Sequence, residues 1–427
     1  MREDLLHFIW KYRKLPLKGL VTSNGQKIEI FEVGIHNHFA GPDFFNAKIR
    51  LEGQLWAGNV EIHVKASDWY AHGHEKDANY NAVILHVVWE DDVAVFRGDA
   101  SEIPTLELKR HIPDYLLSNY QNLFDKRHKR FINCEKSIGE IDLFVFRNWL
   151  DRLYFERLEG KSMRLQNLLK ESKNNWEQVL FNALLKNFGS KINGESFSSL
   201  GGALDFSIIR KIQNDSFKLE SVFFGLMGLL TNHSIKDIYY INMSKEYGYI
   251  KAKYQLDDRG IRQPEFFKLR PANFPTIRLS QLANLYSVHP NLFSEVIEAA
   301  STTELYSIFT VSASSYWDTH FTFGKESRRS TKKLTKAFID LLIVNTIIPL
   351  KFCHAQYTGK EINEEIAMLA SQLKREENNI VKNFDDHRIK ATNAFESQAL
   401  LQLYNEYCIK NRCLECAVGT TILNRNN

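Results

Sequence analysis

The feature that most constrains the fold is a change of hydrophobic period near residue 110. Before it, short runs rich in Val, Ile and Phe alternate with turns such as Asn24-Gly25 and Glu52-Gly53, which is typical of β-strands. After it, apolar residues recur at helical spacing. We therefore expect an α+β protein, with a small N-terminal mixed β-sheet core and a flanking helix, followed by a large mainly α-helical region.

Individual elements can be placed within this division. A first helix is expected over "EDLLHFIWKYRK", followed by strands over "KIEIFEV", "FFNAKIRL", "NVEIHVKA", "AVILHVVWE" and "VAVF". Pro104 favours an edge strand or a loop at the rim. Further on, "LFVFRNWLDRLYFERLEGKSMRLQNLLKES" predicts a long amphipathic helix, Asn174 or Asn175 caps a second one, and another begins near Ile277.

Length and texture together predict three regions. A chain of 427 residues, 44% hydrophobic and 25% charged, is long enough for two or three packed domains. We assign residues 1–110 to the α/β core, 111–330 to a helical domain, and 331–427 to a C-terminal helical segment. The sequence contains no internal repeat, which argues against a solenoid.

Charge and hydropathy narrow the cellular setting. The net charge of +4 permits a polyanionic partner without requiring one. The opening "MREDLLHFIW" lacks the apolar core of a signal peptide, and "SVFFGLMGLL" and "FIDLLIVNTIIPL" are shorter than the roughly 20 apolar residues that span a bilayer. We expect a cytoplasmic protein with no membrane association.

The stretch from 41 to 69, "GPDFFNAKIRLEGQLWAGNVEIHVKASDW", concentrates ionisable groups on one strand face. Because alternate residues of a strand point to the same side, Glu61, His63 and Lys65 share one face. The opposite face is apolar and carries Val60, Ile62 and Val64. This pattern predicts a chemically active face backed by a core face.

The preceding strand is expected to add a second acid. Asp43 follows Pro42 and opens that strand, so a hairpin brings it close to Glu61, while Gly58 would leave room for an approaching ligand. Two carboxylates held together repel each other, and a divalent cation such as Mg²⁺ relieves that repulsion. A metal with a neighbouring base or cation is the apparatus that hydrolyses a phosphodiester.

These residues resemble the PD-(D/E)XK nuclease superfamily. The resemblance implies that Asp43 and Glu61 bind Mg²⁺ (or Mn²⁺), that Glu3 matches an acid some members carry on the first helix, and that a lysine positions the attacking water. The sequence departs from the pattern there, because His63 stands at the lysine position. At about 3.3 Å per residue, His63 lies ~7 Å along the strand from Glu61 and Lys65 ~13 Å.

The resemblance implies a nuclease acting on DNA or RNA; the alternative is a non-catalytic nucleic-acid-binding or assembly protein on a nuclease-derived scaffold. The whole chain also resembles an uncharacterised bacterial protein family, for which no activity is established. That second resemblance rests on "AGPDFFNAKI", "GNVEIHVKASDWYAHGHEKDANYNAVILHVV", "LRPANFPTIRLSQLA" and "YCIKNRCLECAVG".

Histidines cluster around the same segment. Seven of the 14 fall in the first 90 residues, and "DWYAHGHEKD" places His72 and His74 just after the candidate strand. One interpretation is that this loop completes the active site; another is a histidine-based Zn²⁺ hydrolase. A structural interpretation has them capping turns or packing on Trp69 and Tyr80, and favours a core role for His86.

The C-terminal "CIKNRCLEC" spaces Cys408, Cys413 and Cys416 as C-x4-C-x2-C, which favours a Zn²⁺ or iron–sulfur site over a disulfide. A fourth ligand would come from Cys134, Cys353 or His354. Some PD-(D/E)XK enzymes that process DNA ends hold an iron–sulfur cluster with a similar cysteine arrangement. The alternative is three reduced cysteines buried on a terminal helix.

Basic segments offer contacts for a nucleic-acid backbone. Phosphate contacts need clustered Lys and Arg regardless of base sequence, although a solvated helix face is the commoner explanation of one such run. "RPANFPTIR" is either an anion site at a helix start or a packing joint. The candidate residues are Arg127, Lys129, Arg130, Arg270, Arg278, Arg328, Arg329, Lys332 and Lys333.

Overall fold

The computed structural model describes residues 2–16, 18–125, 127 and 131–425, and it groups the chain into two compact units. The first unit comprises Met1–Trp149, His387–Ile389 and Tyr404–Asn427, and the second comprises Leu150–Asp386 and Lys390–Leu403. The last part of the chain, with its cysteines, therefore belongs to the same unit as the N-terminal sheet.

The first unit is built on one mixed sheet, which confirms the α+β expectation. Its strands are β1 (Ile28–Glu32), β2 (Ile35–His36), β3 (Phe44–Leu51), β4 (Gln54–Lys65), β5 (Val83–Glu90) and β6 (Thr105–Glu107). They are ordered β1-β3-β4-β5-β6, with β2 also pairing with β3. β1, β3 and β4 are antiparallel, whereas β5 and β6 continue parallel to β4. Pro104 directly precedes β6 at the sheet edge, as its missing N–H leads one to expect.

The register of β4 determines what meets at the candidate site. Phe44 of β3 pairs with Val60, so Asp43 lies beside the start of the 61–65 segment. On the other side, Glu61 pairs with His86 of β5. The parallel β4–β5 pairing requires a crossover, and residues 66–82 supply it through α2 (Asp68–Ala71) and two 3-10 turns.

The two faces of β4 are covered by different cores. Val60 and Ile62 point into the main core with α1 (Glu3–Lys11), whose apolar residues Leu5, Leu6, Ile9 and Trp10 are fully buried. Glu61 and His63 point to the opposite side, beneath the crossover. There a smaller cluster contains Trp69, Tyr80 and Val88. The predicted division into an apolar face and an ionisable face is thus confirmed for Glu61 and His63.

Helices make up most of the remaining chain. They are α3 (Asp114–Leu123), α4 (Leu143–Glu171), α5 (Trp176–Phe188), α6 (Ser190–Ala203), α7 (Phe206–Ile212), α8 (Ser216–Leu226), α9 (Ile238–Tyr254), α10 (Pro275–Val288), α11 (Leu292–Glu298), α12 (Thr302–Phe309), α13 (Lys336–Leu342), α14 (Ile348–Thr358), α15 (Asn363–Gln372), α16 (Asn379–Asp386), α17 (Ala394–Gln402) and α18 (Ala417–Leu423). A small hairpin, β7 (His320–Thr322) and β8 (Lys325–Glu326), lies among them in sequence.

Several helix boundaries follow from local chemistry. The side chain of Asn175, one of the two residues predicted to cap this helix, accepts hydrogen bonds from two backbone amides at the start of α5. Pro275 occupies the first position of α10, where its missing N–H costs nothing.

The predicted strand "VAVF" is wrong, because Phe96 forms only an isolated bridge to Glu102.

One helical stretch, Lys336–Thr358, is long and apolar enough to cross a membrane. It joins α13 and α14 through a π-helical turn at Ile343–Ile347. Of its most apolar window, 67% is buried by protein. That is the burial of a core helix.

Gly58 is closely packed against β5 and the residue before it, and it does not leave the room for a ligand that the sequence suggested. A Cβ at this position would lie 2.6 Å from the carbonyl oxygen of Ala82 and would collide with Ile84. We expect Gly58→Ala to lower the free energy of unfolding by about 1–3 kcal/mol. Gly160→Ala in α4 is the control, because its Cβ would meet no atom within 4 Å; it should gain up to ~1 kcal/mol of helix propensity. Thermal melts that rank the two variants in the opposite order would contradict this explanation.

Candidate metal centre

Asp43 and Glu61 are interlocked across β3 and β4. The backbone N–H of Ile62 donates to Asp43 Oδ2 at 3.0 Å, and the N–H of Asp43 donates to Glu61 Oε2 at 3.1 Å. Each carboxylate is therefore held by the neighbouring strand's backbone. The structure brings the two predicted acids together and leaves Glu61 Oε1 facing the histidines described next.

Two histidines lie next to this oxygen, and a third lies next to one of them. His63 Nε2 lies 3.5 Å from Glu61 Oε1, and His74 Nε2 lies 3.3 Å from it. His72 Nδ1 lies 3.1 Å from His63 Nε2. The three imidazoles each offer one nitrogen, and these nitrogens lie within 4.8 Å of one another. The loop "AHGHEK" thus folds back over β4 and places both of its histidines on the face that carries Glu61.

Three of these separations are close to those of a tetrahedral coordination shell. Metal–ligand distances of about 2.0–2.1 Å imply that tetrahedral ligands lie ~3.3 Å apart. The three short contacts among Glu61, His63, His72 and His74 are 3.1, 3.3 and 3.5 Å long and so lie close to that value. The Nε2 atom of His74 is buried and makes no hydrogen bond. A bound cation would give this nitrogen a partner.

The electrostatics of the pocket suit a cation. Burial and the nearby charge of Asp43 raise the pKa of Glu61 to about 9. Burial, reinforced by the neighbouring imidazoles, lowers the pKa of His63 to about 2, and burial also lowers the pKa of His74. Both imidazoles therefore stay neutral near pH 7 and keep a lone pair available for a metal.

Helix α1 contributes two further ionisable side chains, Glu3 and His7. His7 was not identified from the sequence as a site residue. His7 Nε2 lies 3.2 Å from Asp43 Oδ2. Burial acts to lower the pKa of His7, but the contact with Asp43 and the surrounding acids outweigh it and raise this pKa. Glu3 lies one helical turn earlier, near His7 and Asp43, and burial raises its pKa. The i, i+4 spacing of Glu3 and His7 is the signal that could have identified the pair.

A second layer of side chains orients the histidines. His86, fully buried on β5, places Nε2 2.9 Å from His63 Nδ1, so one ring donates to the other and directs His63 Nε2 toward Glu61. The His74 ring stacks on Tyr80 with centroids 3.8 Å apart and meets the edge of Trp69. His74 therefore packs against Trp69 and Tyr80, as one interpretation of the sequence predicted, and also belongs to the histidine cluster.

Lys65 is not brought into this cluster. Its side chain is exposed, its backbone N–H donates to Asp68, and its ammonium acts electrostatically on Asp92. The distance argument that favoured His63 over Lys65 agrees with this placement.

The cysteines predicted as metal ligands lie in the same unit. Cys134, Cys408, Cys413 and Cys416 all belong to the first unit, and none of them forms a disulfide. The other two candidates for a fourth ligand have partners within the second unit. Cys353 contacts the carbonyl oxygen of Ser162, and His354 packs edge-on against Trp176.

The predicted nucleic-acid contacts divide into exposed and buried residues. Arg270, Arg328, Arg329 and Lys333 are exposed, and Arg127 is exposed but paired with Asp125. Lys129 and Arg130 lie outside the described residues.

Two of the predicted phosphate contacts are corrected by their burial. Arg278 is 6% exposed, donates to Gln281 and Asn273, and covers the Phe338 ring, so it is a packing joint. Lys332 is 7% exposed and donates to the carbonyl oxygens of Asp318 and Ser330. Both cations already have their partners inside the protein, which leaves them unavailable to a phosphate.

Comparison with known proteins assigns the chain to one family. The sequence model of the family described as "Protein of unknown function (DUF2851)" matches residues 3–379. No curated protein and no solved structure matches the chain.

Proposed function

Since the chain belongs to the DUF2851 family, whose description assigns no activity, we propose from its geometry that it is a metal-dependent hydrolase of phosphodiester bonds in nucleic acid. One observation carries the proposal: nitrogens of His63, His72 and His74 lie within 4.8 Å of one another, beside a Glu61 carboxylate that is interlocked with Asp43 of the adjacent strand. The resemblance of the helix, strands and paired acids to PD-(D/E)XK nucleases supports the choice of substrate.

The residues present suit a divalent metal. Glu61, His63, His72 and His74 would hold it, with Asp43 beside Glu61. Three imidazoles favour Zn²⁺ or another transition metal, whereas Mg²⁺ prefers oxygen ligands alone. We therefore favour a transition metal that accepts nitrogen ligands over the Mg²⁺ expected from the sequence. When bound, such a metal lowers the pKa of a coordinated water and stabilises negative charge on the phosphate.

The side chains around the ligands have separable tasks. His63 occupies the position of the family lysine, but its Nδ1 is engaged by His86, so it serves as an oriented ligand rather than a mobile cation. His7, held against Asp43 with its pKa raised, is the group placed to donate a proton to the leaving oxygen. Glu3 adds negative charge next to this pair and favours the protonated form of His7.

Substrate binding would use the exposed cations. Four of the predicted cations are exposed to solvent and could contact a phosphate, whereas Arg278 and Lys332 are buried. The exposed cations are Arg270, Arg328, Arg329 and Lys333. Arg and Lys contacts of this kind bind phosphates irrespective of base sequence and weaken with salt. DNA and RNA are both candidate substrates, and we place the activity in the cytoplasm.

The proposal is tested by cleavage with matched variants. Purified protein is incubated with single- and double-stranded DNA and RNA in the presence of Mg²⁺, Mn²⁺ or Zn²⁺. We expect wild-type protein to cleave at least one of these, and the Asp43→Ala/Glu61→Ala variant to lose at least 100-fold of that rate. Asp99→Ala is the control, since Asp99 is an exposed loop carboxylate bonded only to its neighbour Ser101.

Two results would contradict a nuclease. Equal cleavage by wild type and the double variant would show a contaminating activity. Salt-sensitive binding of nucleic acid, with no cleavage under any of the metals, would favour the alternative of a non-catalytic nucleic-acid-binding or assembly protein.

A further inference from the structure

We propose that Phe39 is a base-stacking residue and that the substrate of the candidate metal centre is single-stranded nucleic acid, either DNA or RNA. This inference deepens the function proposed above and rests on it. Three observations carry it: the exposure of the Phe39 ring, the rigidity of the loop that holds the ring, and the position of that loop beside Asp43.

The Phe39 side chain is almost completely exposed to solvent. Its exposed fraction is 89%, which is higher than that of any other large apolar side chain in the described residues. An exposed phenylalanine forgoes the stabilisation that burial of its ring would give. Single exposed apolar residues are nevertheless common on protein surfaces, so the significance of Phe39 depends on the loop that carries it.

The loop of residues 37–43 holds Phe39 in a defined place. The side chain of Asn37 fastens it from within: Oδ1 accepts from the N–H of Phe39 at 2.9 Å, and Nδ2 lies 2.9 Å from the carbonyl oxygen of Phe39 and 3.1 Å from that of Pro42. The two ends of the loop are joined as well, because the N–H of Asn37 donates to the carbonyl oxygen of Asp43 at 2.7 Å. A loop that is already ordered loses little conformational entropy when it binds a ligand.

The same loop ends at the candidate site. It joins β2 to β3, and Asp43 is its last residue. A row of imidazoles leads from Asp43 back toward Phe39. His7 Nε2 lies 3.2 Å from Asp43 Oδ2, the His36 ring lies 5.4 Å from the His7 ring, and the His38 ring lies 4.4 Å from the His36 ring, measured between centroids. Phe39 directly follows His38, so its ring stands at the outer end of this row.

The distance from Phe39 to Asp43 suits a bound strand of nucleic acid. Because they are four residues apart, their Cα atoms are separated by at most ~14 Å, which is the length of about four stacked nucleotides at 3.4 Å each. A strand with one phosphate at the metal centre could therefore place a nearby base on the Phe39 ring.

Stacking of this kind selects unpaired strands. Bases of a duplex are stacked on one another, whereas those of a single strand can be splayed onto an aromatic ring, whatever their identity. A docking surface for a protein would instead need a contiguous apolar patch, and the neighbours of Phe39 in the loop are His38 and Ala40. Single-stranded nucleic acid is therefore the occupant that this ring fits.

The test measures binding without cleavage. Full-length protein is titrated, in a buffer with a chelator of divalent metals, into fluorescently labelled DNA or RNA of about 15 nucleotides, either single-stranded or annealed to its complement. We expect the wild type to bind the single strands more tightly than the duplexes. Phe39→Leu keeps an apolar side chain but removes the aromatic face, and it should lose about tenfold of the affinity for single strands. Phe39→Trp should retain that affinity.

Two controls isolate stacking from other effects. Phe144→Leu changes another exposed phenylalanine of the first unit, 74% exposed, and should bind like the wild type. A single strand with abasic sites in place of its bases should bind equally to the wild type and to Phe39→Leu. Because Phe39 is exposed, all variants should melt at the temperature of the wild type.

The outcomes separate this inference from the proposed nuclease activity. If the wild type cleaves nucleic acid but Phe39→Leu binds single strands as tightly as Phe144→Leu does, the inference is overturned and the nuclease stands. A wild type that prefers duplexes, or that binds no single strand, also overturns it. Binding of single strands that depends on Phe39, without cleavage under any of the metals, would support the stacking role and contradict the nuclease.

Discussion

Replacing Glu61 with glutamine should abolish metal-dependent cleavage and, at the same time, make the metal-depleted protein more stable above pH 7. Glutamine keeps the shape of the side chain and an oxygen that can accept the Asp43 N–H, so the fold should be retained. It removes the carboxylate that faces His63 and His74. Loss of a first metal ligand should lower the cleavage rate at least 100-fold.

The gain in stability follows from the sign of the pKa shift. The folded protein raises the pKa of Glu61 from 4.5 to about 9. Between these values the unfolded chain is ionised while the folded chain holds the proton, so stability falls as pH rises through this window. At pH 7 the penalty is about 3 kcal/mol, from roughly 2.5 pH units at 1.36 kcal/mol each. Glutamine does not ionise and escapes this penalty.

Thermal melts at pH 5, 7 and 8.5 measure this effect. The melting temperature of Glu61→Gln should exceed that of the metal-depleted wild type, and the difference should widen with pH. Glu90→Gln, at an exposed carboxylate on the end of β5, is the matched control and should track the wild type. A Glu61→Gln protein that melts below the wild type at every pH would show that the carboxylate stabilises the fold and is not poised for a ligand.

Metal affinity at the histidine cluster should rise about tenfold per pH unit between pH 7 and 9. With a pKa of about 9, Glu61 is protonated at pH 7, so a metal must displace its proton before it can bind the carboxylate. His63 contributes no step near pH 6.5, because its pKa of about 2 keeps it neutral throughout. Glu61 therefore dominates the expected slope in this window.

Zinc titrations in competition with a chromophoric chelator measure this slope. Subtracting the titration of the His72→Ala/His74→Ala protein separates zinc binding at the histidine site from zinc binding elsewhere on the chain. One proton should be released per metal bound at pH 7.5, and Glu61→Gln should bind weakly with a much flatter pH profile. An affinity that does not change between pH 7 and 9 would exclude Glu61 as a ligand that must first be deprotonated.

Much of the fold could be predicted from the sequence, as could the part of the site formed by Asp43 and the ionisable face of β4. Strand alternation identified the ionisable face of β4, and the turn before β3 placed Asp43 next to Glu61. These inferences succeeded because a hairpin and a period of two are local properties. The α4 and α5 helices were likewise readable from their period and from the Asn175 cap.

The rest of the site depends on contacts that have no local signature. His86 meets His63 only because β5 pairs in parallel with β4, which no short-range pattern specifies. His7 reaches Asp43 through the packing of α1 on the sheet. The burial of Arg278 and Lys332 depends on the packing around α10 and the β7–β8 hairpin, so a charge count alone placed them wrongly on the surface.

The division of the first unit into two chain segments has a consequence for its synthesis. A ribosome completes Trp149 and then adds about 255 residues before reaching Tyr404. At about 5–20 residues per second, that interval lasts roughly 10–50 s. Throughout it, the nascent sheet lacks the Cys413 and Leu414 side chains that later fill its core. The N-terminal part of the protein, although made first, is therefore among the last to mature.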